Sequence, residues 1–304
     1  MSILAVGSVA FDTIKTPFGE VTDIVGGSLT YFALSASFFT DVNLVAVVGE
    51  DFGEDQLKVF RGRRIDLQGV AHASGKTFRW GGEYSLNLNS RETLFTELNV
   101  FEGFQPDLPD AYKKADVVFL GNMHPLLQQS VLDQVKSKRV VGMDSMNLWI
   151  ETTPRELRSV LGRVDVVKID DSEARDLAGV YNLRKAAASI QGLGPGTLIA
   201  TRGSHGAMLF TPKGMFSAPA YPLEDEADPT GAGDSFAGGF FGYLAQSKSM
   251  DDATLRRAMI FGSVMGSFCV EDFGTHRLER LTMDEIHARY HALKQMTDFD
   301  DLSP

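Results

Sequence analysis

The sequence contains a single cysteine, Cys269, among its 304 residues. One cysteine excludes a disulfide framework or a cysteine-based zinc site within the chain and suits a reducing compartment, so we expect a cytoplasmic protein. Lysine and arginine are also scarce relative to acidic residues, at 29 against 40, which gives a formal net charge of −11. This deficit of positive charge argues against duplex nucleic acid or an anionic membrane surface as a partner.

Long apolar runs and two common phosphate-binding motifs are absent as well. No run of about 18 apolar residues is present, so we expect no membrane span. Residues 1–11 are apolar with no basic residue ahead of them, which favours a core strand over a signal peptide. The missing Gly-x-x-x-x-Gly-Lys-Ser/Thr excludes a Walker P-loop, and the missing N-terminal Gly-x-Gly-x-x-Gly argues against a nicotinamide-dependent oxidoreductase.

Strand-like and helical patterns alternate along most of the chain. Short apolar segments have the composition of buried strands, and the segments between and after them have helical spacing. Repeated βα units predict an α/β fold with a central, mostly parallel sheet and helices on both faces, and we expect residues 1–304 to form a single domain. The predicted strands are residues 2–9, 42–48, 117–120, 139–143, 164–169, 197–201, 207–211 and 215–218. The predicted helices are residues 30–39, 54–64, 126–135, 155–161, 173–177, 236–244, 253–270 and 283–294.

Residues 76–100 interrupt this βα alternation. They alternate in polarity and are rich in aromatic residues, Thr and Asn, which is typical of exposed antiparallel strands. Phe78, Trp80 and Tyr84 share one face of such a strand. Together with residues 13–24 this segment is predicted to form a small projecting sheet, and a lid over a reaction site is favoured over two ordinary surface hairpins.

The most informative stretch is residues 228–239, Asp-Pro-Thr-Gly-Ala-Gly-Asp-Ser-Phe-Ala-Gly-Gly. Gly231, Ala232 and Gly233 allow a tight turn and close approach of the backbone to a ligand. The apolar run that follows predicts a helix, so these amides would form an anion site at its N-terminus. Asp234 would repel a bound phosphate but suits a base that takes a proton from an attacking hydroxyl. The pattern favours phosphoryl transfer over a simple glycine-rich helix cap.

This stretch resembles, residue for residue, the Asp-x-Thr-Gly-Ala-Gly-Asp signature of the ribokinase-like (PfkB) carbohydrate kinase family. The resemblance implies a ribokinase-like fold with a small β lid and a kinase that uses ATP and Mg²⁺. It implies phosphorylation of a primary alcohol of a sugar, nucleoside or related polyol, with Asp234 as general base and the amides of Gly231, Ala232 and Gly233 as the anion hole. It also allows a potassium ion at Asp228 and a homodimer formed through the lid.

Two segments near the N-terminus are candidate acceptor contacts. Asp12 follows the first predicted strand, where ligands of open α/β sheets bind, although a turn aspartate is the alternative. The resemblance implies that Asp12 and the pair Gly26-Gly27 line the sugar pocket. Tyr31 stands where the family has Asn, which suggests a more aromatic pocket. Stacking of Tyr31 and Trp80 on a base would favour a nucleoside, and aromatic core packing is the alternative.

A second set of motifs is implied to serve the nucleotide and its metal. Asp170-Asp-Ser-Glu173 resembles the family's Asn-x-x-Glu motif, in which Glu173 would orient Mg²⁺ through its waters, although an N-cap is the alternative for Asp170. The segment from Thr201 to Gly206 resembles a nucleotide loop, Thr-x-Gly-x-x-Gly, in which Arg202 could pair with phosphates; a hairpin turn is the alternative. The nucleotide-binding candidates are Asp170, Thr201, Arg202, Gly203, Gly206, Gly262 and Gly274.

Two further points stay open on the sequence alone. Asp144-Ser-Met-Asn147 resembles, with one extra residue, the strand end Asp-x-Asn of the family and is either structural or adjacent to the substrate. A nucleotide-binding sensor of the same fold that has lost catalysis is compatible with the departures at Tyr31 and Asp170. The intact Asp234 argues against the sensor, because a pure binder gains nothing from an acid that faces phosphate.

Overall fold

The computed structural model describes residues 2–88, 90–136 and 138–300. None of the helices in these ranges combines the length and the apolar character that crossing a membrane requires. The strands are β1 Ser2–Val6, β2 Ala10–Thr16, β3 Gly19–Gly26, β4 Asp41–Val48, β5 Ile65–His72, β6 Phe78–Tyr84, β7 Arg91–Glu97, β8 Val117–Leu120, β9 Val140–Asp144, β10 Val166–Asp170, β11 Thr197–Thr201, β12 Ala207–Thr211 and β13 Gly214–Ala218. The helices are α1 Ser28–Ala36, α2 Glu54–Leu57, α3 Pro125–Gln134, α4 Asn147–Thr152, α5 Pro154–Leu161, α6 Asp171–Ala178, α7 Leu183–Gln191, α8 Ala232–Ser247, α9 Asp252–Cys269, α10 His276–Arg280 and α11 Met283–Thr297.

The larger sheet has nine strands in the order β13-β12-β11-β10-β9-β8-β1-β4-β5. All neighbouring pairs from β11 to β5 are parallel, whereas β12 and β13 are added antiparallel. One face of the sheet packs on a core that includes α1, α8 and α9, and the opposite face packs on a core that includes α3, α5 and α7. The predicted α/β fold, with a mostly parallel sheet between helices, is therefore confirmed.

Alternation along the central strands decides which side chains face α8. Gly142 of β9 lies against the Phe241 ring of α8, where an added Cβ would approach to 2.1 Å. Val166 of β10 belongs to the same core as α8. Because successive side chains point to opposite faces, Asp144 and Lys168, two residues further along these strands, lie on the α8 side at the carboxyl edge of the sheet.

The four strands β3-β2-β6-β7 form a second sheet, called the lid below. The two predicted lid segments, 13–24 and 76–100, each contribute two of its strands. The outer pairs β2–β3 and β6–β7 are antiparallel, as predicted for residues 76–100, and the inner pair β2–β6 is parallel. The two hairpins come from distant parts of the chain, so no tight turn forces β2 and β6 to run in opposite directions.

Several elements differ from the sequence-based expectation. The predicted helix 54–64 ends at Leu57, is followed by a 3₁₀ turn at Lys58–Phe60, and gives way to the edge strand β5. Gly69 within β5 and the polar residues around it weaken the strand pattern in the sequence. Helix α7 was also not predicted, because its alanine-rich sequence has a narrow apolar face. Phe78 stacks on Phe101 at the base of the lid, with ring centroids 5.5 Å apart.

Candidate active site

The signature 228–239 forms a turn followed by helix α8, whose first residue is Ala232. Gly231 is the N-cap and has φ 76°, in the left-handed region that glycine adopts without strain. The ring of Tyr31 lies directly beneath it, so a Cβ on residue 231 would come within 2.3 Å of that ring. Backbone conformation and packing therefore both require glycine at position 231.

The start of α8 presents fewer free amides than expected. The Ala232 amide donates to the Pro229 carbonyl (3.2 Å), whereas the Ser235 amide makes the first helical bond, to the Gly231 carbonyl (2.8 Å). Among the residues that the structure describes, the amides of Gly233 and Asp234 have no backbone acceptor one turn earlier. The candidate anion site therefore centres on Gly233 and Asp234, and Ala232 contributes through its conformation.

Asp228 fixes this turn from below. Its Oδ1 accepts a hydrogen bond from the Thr230 amide (2.8 Å), and its Oδ2 accepts one from the Gly274 amide (3.0 Å). Burial is the main cause that raises the pKa of this carboxyl. The Cys269 thiol is fully buried and donates to the Thr230 carbonyl (3.2 Å), which supports packing as its role. Both contacts hold the backbone that carries the anion site.

Asp12 lies with the two glycines that the sequence grouped with it. Its Oδ2 accepts a hydrogen bond from the Gly27 amide (3.2 Å), and a Cβ on Gly26 would come within 1.9 Å of that oxygen. Gly27 has φ 87° and is the N-cap of α1. Burial raises the pKa of Asp12 to about 7, against the opposing effect of the Gly27 amide. The structure thus brings Asp12 of β2, Gly26 of β3 and Gly27 at the start of α1 together where the lid strands meet α1.

Asp234 stands in the first turn of α8, with acidic and basic groups around it. Burial raises the pKa of Asp234, the ammonium of Lys168 lowers it, and the carboxylates of Asp144 and Asp12 raise it further. A carboxylate with a raised pKa is better matched to accepting a proton near neutral pH than an ordinary aspartate. The geometry therefore suits the role that the sequence predicted for Asp234.

Lys168 is a site residue that the sequence reasoning missed. Its ammonium nitrogen lies 2.8 Å from Asp144 Oδ2, and both side chains are buried. The two residues are direct neighbours on the parallel strands β10 and β9. A lysine within the apolar strand β10 was the available signal, but its partner is 24 positions away, and only the strand register places them together.

Asp170 and Glu173 form a reciprocal capping box at the start of α6. Asp170 Oδ1 accepts from the amides of Ser172 and Glu173 (both 2.8 Å), and Glu173 Oε2 accepts from the Asp170 amide (2.8 Å). The N-cap alternative for Asp170 is thus realised. Burial and then the neighbouring charge of Asp170 raise the pKa of Glu173 to about 8. Within the described ranges, the structure has no cluster of three or more His, Cys, Asp or Glu side chains that could hold a metal ion alone.

A cavity of about 280 Å³ lies next to the start of α8. Its lining brings together the predicted nucleotide residues Thr201, Gly203 and Gly206 with Ala232 and Gly233. The other wall comes from α8, α9 and the segment before the signature, through Phe236, Ser263, Gly266, Ser267, Tyr221 and Leu223. The two halves of this cavity are far apart in sequence, and the sheet and α8 bring them together.

Four nucleotide candidates lie away from this lining, one of which is the α6 N-cap Asp170. Gly262 packs on the Phe236 ring inside the α8–α9 contact, whereas Ser263, Gly266 and Phe236 line the cavity. Gly274 has φ 57° and packs against Ile24 of the lid. Arg202 lies with its Nε 4.0 Å from Asp171 Oδ2. Neither Gly262 nor Gly274 lines the cavity, and their contact with adenine stays a prediction.

Tyr31 and Trp80, the two aromatic residues predicted to contact the acceptor substrate, have different environments. Tyr31 is 1% exposed, so core packing accounts for its ring, and stacking on a base is excluded by burial. Its hydroxyl has no hydrogen-bond partner among the described residues and remains a candidate for a polar contact. Trp80 is half-buried in strand β6, where its ring covers Gly82 and the Arg91 guanidinium lies 5.0 Å from the ring centroid. Arg91 was not predicted.

Comparison with known proteins gives the class that this fold and site define. The profile of the pfkB family of carbohydrate kinases matches residues 11–280. The chain therefore belongs to the PfkB family, is a kinase of the sugar and nucleoside type, and has the ribokinase fold.

Individual relatives carry more specific names. The cytidine kinase of Thermococcus kodakarensis is 28% identical over 259 residues, which cover 83% of this chain and 91% of that protein. The Burkholderia thailandensis nucleoside kinase in complex with ADP-inosine superposes with a TM-score of 0.78 at 19% identity, covering 96% and 95% of the two chains. A ribokinase II from E. coli in complex with ATP and Mg²⁺ gives 0.78 at 17% identity, covering 96% and 99%.

Proposed function

We propose that this protein transfers the γ-phosphoryl group of ATP to a primary alcohol of a sugar or nucleoside. The observation that carries the proposal is the position of Asp234, in the first turn of α8 beside amides that have no helical acceptor. A general base and an anion site joined in one turn serve phosphoryl transfer, whereas phosphate binding alone would be weakened by the carboxylate.

The cavity beside α8 supports ATP as the donor. It opens between the loop of Thr201 to Gly206 and the Gly233 end of the anion site. A nucleotide in this cavity would place its phosphates toward the free amides of α8, where the helix dipole also favours negative charge. The E. coli neighbour solved with ATP supports the same donor.

The residues at the start of α6 fit a magnesium ion that is held mainly by the nucleotide. Glu173 supplies a hard oxygen donor, and burial followed by the neighbouring carboxylates of Asp170 and Asp144 raises its pKa. Magnesium usually keeps several waters and takes one or two protein carboxylates together with substrate phosphates. When bound, the ion would neutralise phosphate charge. Asp228 is the candidate ligand for a potassium ion, a further part of the proposal.

The proton and bond changes follow from Asp234 and Asp12. Asp12 accepts hydrogen bonds from acceptor hydroxyls and fixes the reactive alcohol beneath the lid. Asp234 takes the proton of that alcohol as its oxygen forms a bond to the γ-phosphorus, and the bond from this phosphorus to the bridging oxygen of ADP breaks. The Gly233 and Asp234 amides stabilise charge on the transferred group.

The proposal also covers the cellular location of the protein, its partners and its oligomeric state. The single buried cysteine supports a cytoplasmic location, and the net charge of −11 argues against nucleic acid and membrane partners. Leu94 and Phe95 of β7 are 48% and 37% exposed, which supports a homodimer formed through the lid.

The test is ADP release from Mg-ATP against a panel of cytidine, inosine, ribose, fructose and inositols, with the phosphorylated position assigned by NMR. Nucleosides come first because the relatives named above include nucleoside kinases. Acceptor-dependent ADP release with phosphate on a primary alcohol supports the proposal. Tight ATP binding with no turnover on any acceptor would favour the sensor alternative.

A further inference from the structure

The ion pair of Lys168 and Asp144 lies directly beneath the anion site. Lys168 Nζ is 2.8 Å from Asp144 Oδ2 and 3.0 Å from the position that a Cβ on Gly233 would occupy. The side chain of Lys168 is 9% exposed, so its ammonium group has little contact with bulk water. The pair thus joins the carboxyl edge of the sheet to the first turn of α8.

The ammonium group has more donors than its partner uses. An ammonium carries three N–H donors, and the only hydrogen bond of Lys168 Nζ within the described part of the chain is the one to Asp144. Buried donors are normally satisfied, because an unmade hydrogen bond to a charged group is costly. The remaining donors lie next to Gly233, on the side where the α8 amides are free.

The charged groups around Lys168 Nζ and the start of α8 are mostly negative. Asp12, Asp144, Glu173 and Asp234 all act on this region, Lys168 is the buried cation among them, and the exposed Arg91 has a smaller effect on Asp234. A triphosphate adds further negative charge to the same place. Two free amides and a magnesium ion held largely by phosphates do not balance all of this negative charge. A fixed positive charge on the protein would therefore stabilise the transferring phosphoryl group further.

We infer that Lys168 is a catalytic cation that contacts the transferred phosphoryl group and that Asp144 positions it. The inference rests on the proposed function. As the phosphoryl group moves from ADP to the acceptor oxygen, the Lys168 ammonium donates to its oxygens and keeps its own protons, and the acceptor proton goes to Asp234. Asp144 is therefore a positioning residue, which decides between the two roles that the sequence left open for it.

The electrostatics of the pair agree with this role. Burial lowers the pKa of Lys168, but the carboxylates of Asp144 and Asp234 outweigh burial and raise it above its ordinary value. The ammonium group therefore stays protonated across the working pH range. The alternative is a purely structural ion pair that fastens β10 to β9. The two roles differ in what they predict for the γ-phosphate.

The test compares the double variant Lys168→Met/Asp144→Asn with Asp144→Asn and with the surface control Lys58→Met. Removing Lys168 alone would leave a buried carboxylate without its partner, whereas the double variant removes both charges. Lys58 belongs to an exposed pair with Asp55. The measurements are the thermal midpoint, kcat, and the Kd values of Mg-ADP and of a Mg complex of a β,γ-methylene ATP analogue.

We expect the double variant to fold and to bind ADP within about 3-fold of wild type, to bind the ATP analogue at least about 10-fold more weakly, and to lose about 100- to 1,000-fold in kcat. Asp144→Asn should keep more of the preference for the analogue, because the cation remains. Equal weakening of ADP and analogue, or a double variant with kcat within about 5-fold of wild type, would overturn the inference. If wild-type protein phosphorylates no acceptor, the proposed function fails, whereas the difference between ADP and analogue still tests Lys168.

Discussion

The phenol of Tyr84 and the hydroxyl of Thr230 are hydrogen-bonded, with 3.0 Å between Tyr84 Oη and Thr230 Oγ1. Tyr84 is at the end of β6 in the lid, and Thr230 lies in the turn that leads into α8. The contact ties the lid to the backbone of the anion site across 146 positions of sequence. A movement of the lid would therefore be transmitted through this hydrogen bond to the turn that carries Gly231 and leads to Asp234.

A lid that covers the acceptor should report its binding through Trp80. The Trp149→Phe background leaves Trp80 as the single tryptophan, since the chain has two. Saturating acceptor should change Trp80 fluorescence and reduce its accessibility to acrylamide, because closure of the lid would shield the half-buried indole further and change its contact with the Arg91 guanidinium.

Tyr84→Phe in the same background is the matched control for the lid contact. The substitution removes the hydroxyl that bonds to Thr230 and leaves the ring in the small apolar core of the lid. Because the lid loses this hydrogen bond, it should open more readily, and acrylamide should quench Trp80 more strongly before acceptor is added. A confirmed acceptor that leaves both fluorescence and quenching unchanged would show that Trp80 does not respond to the site.

The free energy of unfolding should fall as the pH rises from about 5.5 to 7.5. Asp12 and Glu173 have pKa values raised to about 7 and about 8 in the folded protein, so the native state binds more protons than the unfolded chain in this window. Folding is therefore favoured at the lower pH, and each such group contributes a slope of about 1.4 kcal/mol per pH unit within its range.

Urea titrations of unliganded wild type and Asp12→Asn at pH 5.5, 6.5 and 7.5 measure this slope. The amide cannot titrate, so the variant should lose less stability than wild type between the lowest and highest pH. Equal slopes in the two proteins, or a wild type that gains stability toward pH 7.5, would contradict the burial of an acid with a raised pKa at position 12.

Glu173→Gln should raise the magnesium concentration needed for half-maximal activity more than it changes the KM of the acceptor. The amide keeps an oxygen for the α6 capping box but loses the charge that would orient magnesium-bound water. Glu285→Gln is the control, because Glu285 holds the same position in the capping box of α11. Superimposable magnesium titrations of wild type and Glu173→Gln would assign Glu173 a structural role only.

Gly233→Val should lower kcat/KM by about 100- to 1,000-fold, as expected for loss of about 2.7–4 kcal/mol of anion-hole stabilisation. The new side chain would lie 3.0 Å or less from Lys168 Nζ and would cover the free amides. Gly103→Val is the control, since nothing lies within 4 Å of a Cβ placed there. A folded Gly233→Val protein with unchanged kcat/KM would place the anion site elsewhere.

Local patterns in the sequence were sufficient to predict the parts of the site that lie close together in the chain. The turn, the helix start and the acid at position 234 are encoded within twelve residues, and the alternation of buried strands and helices gave the parallel sheet. Residues 76–100 were also predicted to form a sheet together with residues 13–24, because the strand pattern of 76–100 interrupts that alternation. Each inference depended on spacing that the backbone geometry fixes locally.

Contacts between elements that are distant in the chain could not be predicted from local sequence patterns. Lys168 meets Asp144 only because β10 and β9 are aligned in register, and Gly274 meets Asp228 only after α9 returns the chain to the signature. The burial of Tyr31 follows from the position of Gly231 above its ring. In each case the partner is set by tertiary packing, which a single sequence does not reveal.

The most direct test of the central claim is kcat of Asp234→Asn with Mg-ATP and the best acceptor of the panel. Asp252→Asn, another acid in the first turn of a helix, is the control. Loss of the general base should lower kcat by about 100- to 10,000-fold while the Kd of ATP stays within a few-fold, because the amides of α8 are unchanged. A folded Asp234→Asn protein that keeps a tenth of the wild-type kcat would contradict the account.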